Sequence, residues 1–170
     1  ARNHPDEGIL YLQQDMREFE LYGTVRGIIS FCDSINYITD PRELLTVFRL
    51  VNNYLDPDGI FIFDFHTLHY YKDILGESTI AEDREDMSFI WDNYYDTESR
   101  IHEFGLSIFV QETDDLYRKY QEDHYQRAYS LEEIKELLAQ AGLIFLDAYD
   151  ELSFGHPNEN STRIHVIARE

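Results

Sequence analysis

Cysteine is almost absent from this chain: Cys32 is the single one in 170 residues. A lone thiol excludes an internal disulfide and a cysteine-built zinc site, and it fits a reducing, cytoplasmic compartment. Basic residues are scarce as well, with 14 Lys and Arg against 34 Asp and Glu and a net charge of −20. Such a field repels phosphate backbones and anionic membranes, so a nucleic-acid substrate is disfavoured. No run of like charge is long enough to form an acidic tail. No apolar run approaches the roughly 20 residues of a membrane helix, and no signal peptide is visible. Glycine is thinly spread: Gly8, Gly23, Gly27, Gly59, Gly76, Gly105, Gly142 and Gly155 include no pair spaced as G-x-G. The glycine-rich turn that cradles a nucleotide cofactor is therefore not in this sequence.

What is present is ordered. Hydrophobic residues make up 43% of the chain, enough for one domain with a core, and Tyr (13) and Phe (11) are abundant. Gly8 to Asp15 reads as a strand ending on a carboxylate, and Val25 to Cys32 as a second strand, apolar enough to be covered on both faces. Asp40-Pro41-Arg42-Glu43 opens a helix, with Asp40 as cap, Pro41 at its first position and Glu43 completing a capping box. Leu44, Val47, Phe48, Val51 and Leu55 recur at helical spacing, and Asp56-Pro57-Asp58-Gly59 stops the helix. Gly59 to Phe65 is a nearly all-apolar third strand, as expected within a parallel sheet.

The pattern then changes. Ser88–Asp96, Arg100–Thr113 and Leu116–Tyr129 are long, β-rich and partly polar, parted by Thr97-Glu98-Ser99 and Asp114-Asp115. This predicts an antiparallel meander with one wet face. Ser130-Leu131-Glu132-Glu133 caps a second helix that buries Ile134, Leu137, Leu138 and Ala141 and stops at Gly142. Leu143–Tyr149 and Thr162–Ala168 close the chain as strands around a polar loop, Ser153–Ser161.

Gln14-Asp15-Met16-Arg17 after the first strand, Phe31-Cys32-Asp33-Ser34 after the second, then a helix, D-P-D-G and an apolar strand together resemble the class I S-adenosylmethionine-dependent methyltransferases. The resemblance spans essentially the whole chain and is strongest to the branch of sugar N-methyltransferases and glycine-methyltransferase-like proteins. No single motif decides it; the ordered set does. It implies an α/β fold: the C-terminal part of a Rossmann-like methyltransferase sheet with an inserted antiparallel meander. Residues 1–170 then form one domain, incomplete at its N-terminus, with the insertion at 86–129. In that family two further strands, the first carrying the glycine-rich turn, lie between the strand at Ile9 and the strand at Ile28. Without them the Ile28 strand has a bare edge, so the natural protein is expected to be longer and this part inactive alone.

The resemblance also assigns roles. Asp15 and the Met16 backbone face the adenine, and Phe31, Cys32 and Asp33 lie by the methionine part of S-adenosylmethionine. Asn36 and Tyr37 lie where the acceptor, a small molecule, would sit. From the residues themselves, Asp64 inside an apolar run costs desolvation unless it is paired or faces a cavity. His66 could take a proton from an acceptor near neutral pH, or simply pack at a strand end. His66 and His69, spaced i, i+3, are too weak a signal for a metal site. On the meander, Tyr95 could stabilise a cation, although cross-strand packing is commoner. Arg127 could hold an anionic acceptor group or pair with a local acid. An alternative to an enzyme is a non-catalytic methyltransferase-like module that binds a protein partner through the meander. An exposed meander face is also a plausible homodimer surface.

Overall fold

The computed structural model describes residues 8–113, 116–151 and 153–170. Two four-stranded sheets and two helices account for it. The first sheet runs β1 (Val25–Ser30), β2 (Leu55–His66), β8 (Arg163–Arg169), β7 (Ile144–Asp150). β1 and β2 are parallel, joined by α1 (Pro41–Tyr54), and β8 is antiparallel to both of its neighbours. Val25 pairs with Leu55 but Gly27 with Ile60, so the D-P-D-G segment bulges out of the start of β2. The second sheet is an antiparallel meander of β3 (Thr79–Asp83), β4 (Met87–Asp96), β5 (Ile101–Thr113) and β6 (Leu116–Arg127). Its Asp114-Asp115 turn lies outside the described residues.

Both helices are capped by the residues their sequences predict, although the Glu43 side chain turns to Arg17 instead of completing a capping box. The Asp40 side chain accepts from the Arg42 amide, and Ser130 Oγ accepts from the Glu133 amide at the head of α2 (Leu131–Ala141). Their apolar faces (Leu44, Val47, Phe48 and Val51; Ile134, Leu137, Leu138 and Ala141) pack on the same side of the first sheet. There they meet Phe61, Phe63, Val166 and Ala168. The opposite side is more open: Ile29 is 65% exposed and Leu146 44%. The sequence reading of β1 as covered on both faces is thus corrected, because both helices use one face.

A second correction concerns Gly8–Asp15. These residues form no strand, and Ile9, Leu10, Tyr11 and Leu12 are exposed. A strand exists only by pairing its backbone with a neighbour, and among the described residues no strand lies beside this segment. The second sheet, in turn, gains β3 ahead of the three strands expected. Between β2 and β3, Tyr70–Leu75 form a π-helical turn that delivers Tyr70 and Tyr71 to the junction of the sheets. No helix among the described residues is long and apolar enough to cross a membrane.

Candidate active site

The chain reverses sharply after β1. Cys32 and Asp33 both adopt left-handed backbone conformations (φ 61° and 50°), which fold the strand end over the carboxyl end of β2. The Asp33 amide donates to Asp64 Oδ1 at 3.0 Å, so the buried acid expected to need a partner has one. Arg163, the first residue of β8, sits opposite His66 in the β2–β8 ladder. Its guanidinium bonds Asp64 through Nη1, and through Nη2 it reaches Asp33 Oδ1 at 3.1 Å and His66 Nε2 at 2.7 Å. Gln126 Nε2 donates to the second oxygen of Asp33 at 2.7 Å, and Tyr71 OH donates to Gln126 Oε1 at 3.1 Å. Asn36, fully buried, accepts from the His66 amide and donates to the carbonyls of His66 and Arg127, tying the post-β1 turn to β2 and β6.

Burial, reinforced by the Arg163 charge, lowers the His66 pKa below its usual value. Its ring stacks on Tyr70 with centroids 3.7 Å apart. A second histidine, His102, is buried between Tyr71 and Phe104, and desolvation lowers its pKa to about 4.

Asp33, His66, Tyr70, Gln126 and Arg163 form one end of a cavity of about 500 Å³. The rest is walled by the second sheet. Met87, Phe89 and Trp91 alternate along β4, and Phe104, Leu106 and Ile108 along β5, so the pleat turns all six to the same side. A second cavity, about 380 Å³, lies across the β1 end and is lined by Gln14, Met16, Phe19, Ile28, Ser30 and Ile35 among others. Segment 30–35 thus borders both spaces.

Asp33 and His66 line the larger cavity, with Asp64 and Asn36 bracing them from behind. Met16 lines the smaller one. Asp15 is in an exposed turn, bonded by the amide and guanidinium of Arg17, which also reaches Glu43 on α1; the Arg17 bonds hold its pKa at about 2. Phe31 is 46% exposed and meets His165 edge-on, and Cys32 is exposed. Tyr37 bonds His124 at 3.0 Å. The remaining two are directed elsewhere: Tyr95 packs on Tyr71 within a satellite core, and Arg127 pairs with Glu133 of α2 at 2.9 Å while lying over the Tyr129 ring. His69 bonds Asp73, apart from His66. Sequence reasoning missed Arg163, Gln126 and Tyr70. The one available signal was Asp64 itself, since a buried carboxylate calls for a cation.

No family model matches the chain. A curated relative from Bacillus subtilis (strain 168), "Putative methyltransferase YqeM", is 32% identical over 165 residues, covering 95% of this chain and 66% of the relative. A crystal structure of an S-adenosylmethionine-dependent methyltransferase from Clostridium acetobutylicum superposes with a TM-score of 0.86 at 28% identity, covering 92% of this chain and 62% of that one. The chain belongs to the class I S-adenosylmethionine-dependent methyltransferase family. Its first sheet belongs to that Rossmann-like fold, and S-adenosylmethionine is the family's cofactor. At 14% identity and a TM-score of 0.69, the S-adenosylmethionine-bound amino pentose methyltransferase CalS10 from Micromonospora echinaspora shares the fold, over 92% of this chain and 63% of its own. The chain thus spans about two-thirds or less of the relatives it matches: 66% of the curated protein and 62% of the solved one.

Proposed function

We propose that the intact gene product transfers a methyl group from S-adenosylmethionine to a small-molecule acceptor held in the cavity between the two sheets. The observation that supports this most is the turn after β1: Ser30 and Ile35 border one ligand-sized space, and Asp33 borders another. One strand end thus has a donor side and an acceptor side. In this reading residues 1–170 are one domain, and the second sheet is an insertion within it.

The residues present fit part of the cofactor. The smaller cavity, walled by Met16, Phe19, Ile28 and Val51, suits a flat apolar base. Asp15, between the lining residues Gln14 and Met16, is a firmly ionised acceptor for an amino group. The half-exposed Phe31 ring suits a sulfonium, and Cys32 and Asp33 supply the turn beside it. When bound, S-adenosylmethionine supplies an activated methyl group and a neutral thioether leaving group. This chain aligns the acceptor and excludes water, a contribution of several kcal/mol. Bound there, the cofactor would give its methyl group to an acceptor lone pair and leave as the neutral thioether, and His66 Nε2, once released by Arg163, would take the acceptor's proton. Asp33 meets the acceptor, Asn36 and Asp64 hold Asp33 and His66 in place, and Tyr37 lies at the rim through His124. Tyr95 and Arg127 act further back, by supporting the second sheet and its joint with α2.

A lone, exposed cysteine supports a cytoplasmic setting. Ile90, Tyr94, Tyr117 and Tyr125 alternate with the cavity-facing positions and are exposed, which supports self-association through the far side of the second sheet. Calorimetric titration of the intact gene product with S-adenosylhomocysteine tests the central claim. Saturable heat is expected; a flat titration would overturn it and favour a non-catalytic module that binds a partner.

A further inference from the structure

We propose that the acceptor is an amine carried on an apolar body, such as a phenylalkylamine, rather than a free sugar or an anion. The proposal rests on the reading above that the larger cavity is the acceptor site. Its walls carry the first half of the argument. Met87, Phe89, Trp91, Phe104, Leu106 and Ile108 offer no polar atom to a ligand apart from the Trp91 indole nitrogen, which is buried and has no partner among the described residues. A sugar placed against them would give up water at each hydroxyl and find nothing in return. An alkyl or aryl body loses nothing there.

The polar end carries the second half. Two carboxylates, Asp33 and Asp64, face one guanidinium, Arg163. His66 adds no charge, because Nε2 accepts from Arg163 while Nδ1 donates to the Thr162 carbonyl. One negative charge is left over at the polar end of an otherwise apolar cavity. Asp33 receives one donor on each oxygen, from Arg163 and Gln126, and a carboxylate offers about four lone-pair sites. The vacancy is therefore for a donor, and a cationic one gains most. The aromatic faces of Phe89, Trp91 and Phe104 favour the same sign of charge. A carboxylate or phosphate head would be repelled.

Trp91, the single tryptophan of this chain, lines the cavity and reports on its contents. The test titrates the intact gene product with 4-phenylbutylamine, 4-phenylbutanol, 4-phenylbutyrate and glucosamine, reading fluorescence, with Trp91→Phe identifying the signal. Phenylbutylamine should bind saturably and at least about fivefold more tightly than the other three. Asp33→Asn should abolish its advantage over phenylbutanol while phenylbutanol itself still binds. Equal or tighter binding of the carboxylate or of glucosamine, no saturable binding of the amine, or an amine preference that survives Asp33→Asn would overturn the proposal. Titration with S-adenosylhomocysteine is scored separately. Heat there together with a failed amine preference removes the acceptor class and leaves the methyltransferase reading; an amine preference without that heat removes the methyltransferase reading and leaves an amine-binding cavity.

Discussion

Arg163 Nη2 lies 2.7 Å from His66 Nε2, and this contact fixes the state of the imidazole. A guanidinium only donates, so Nε2 accepts and the ring proton sits on Nδ1, toward the Thr162 carbonyl. The same guanidinium joins the turn after β1, through Asp33, to the end of β2, through Asp64.

Removing that cation should therefore be costly. In Arg163→Met, Asp33 and Asp64 keep their places with no counter-charge, and their side chains are only 22% and 4% exposed. The expected loss is about 3 kcal/mol, read as a lower urea midpoint at unchanged slope. Adding Asp64→Asn should recover part of it, because the two changes share one interaction. A loss below about 1 kcal/mol with no recovery would mean that water takes over from Arg163.

Stability should fall on mild acidification. His66 and His102 both have lowered native pKa values, the latter about 4, mainly because burial disfavours the charged ring. A histidine with a depressed native pKa binds fewer protons folded than unfolded. Its contribution is complete above the unfolded value of about 6.5 and is lost as pH falls toward the native one. Between pH 6.5 and 5, each adds up to about 1.4 kcal/mol per pH unit to the slope of stability. Urea denaturation at half-unit steps measures it, and His102→Phe should flatten the curve. An unchanged slope in that variant would show that His102 titrates normally.

Local chemistry was legible in the sequence, and long-range pairing was not. Asp40 and Ser130 announced their helices because a cap is read within three or four residues, and both caps form. The long, partly polar β segments announced a meander with one wet face, but what its other face encloses depends on residues brought from β1, β2 and β8. Arg163 carries no local signal, because its partners Asp64 and Asp33 lie 99 and 130 positions away. For Arg127 the local reading is the one that forms: Glu133, six residues on, takes its guanidinium. Gly8–Asp15 has the composition of a strand, and composition cannot supply a neighbour.

Gly142 ends α2 with φ +86°, and a Cβ there would come within 3.1 Å of the Asn52 amide nitrogen on α1. Gly142→Ala combines a left-handed backbone with this contact between helices and should cost about 1–2 kcal/mol, lowering Tm by a few degrees. Gly142→Asn should cost less on the backbone side, because Asn tolerates the conformation. Differential scanning calorimetry ranks the two, and equal losses would place the cost in the Asn52 contact.

His66 carries the sharpest catalytic expectation. If its Nε2 takes the acceptor's proton, kcat in the intact gene product needs the neutral ring. With the pKa lowered by burial, the rate at saturating acceptor should hold level down through pH 6.5 and fall only below it. Arg163 must release Nε2 for the transfer, so Arg163→Lys, which loses the planar fork, should alter the rate without removing the acidic limb. His66→Gln keeps a polar side chain but holds no basic nitrogen; it should lower kcat about 100-fold or more and erase that limb. A drop of only about two- or threefold, with the limb intact, would assign His66 to holding Arg163 and Asp33 in position and the proton to solvent.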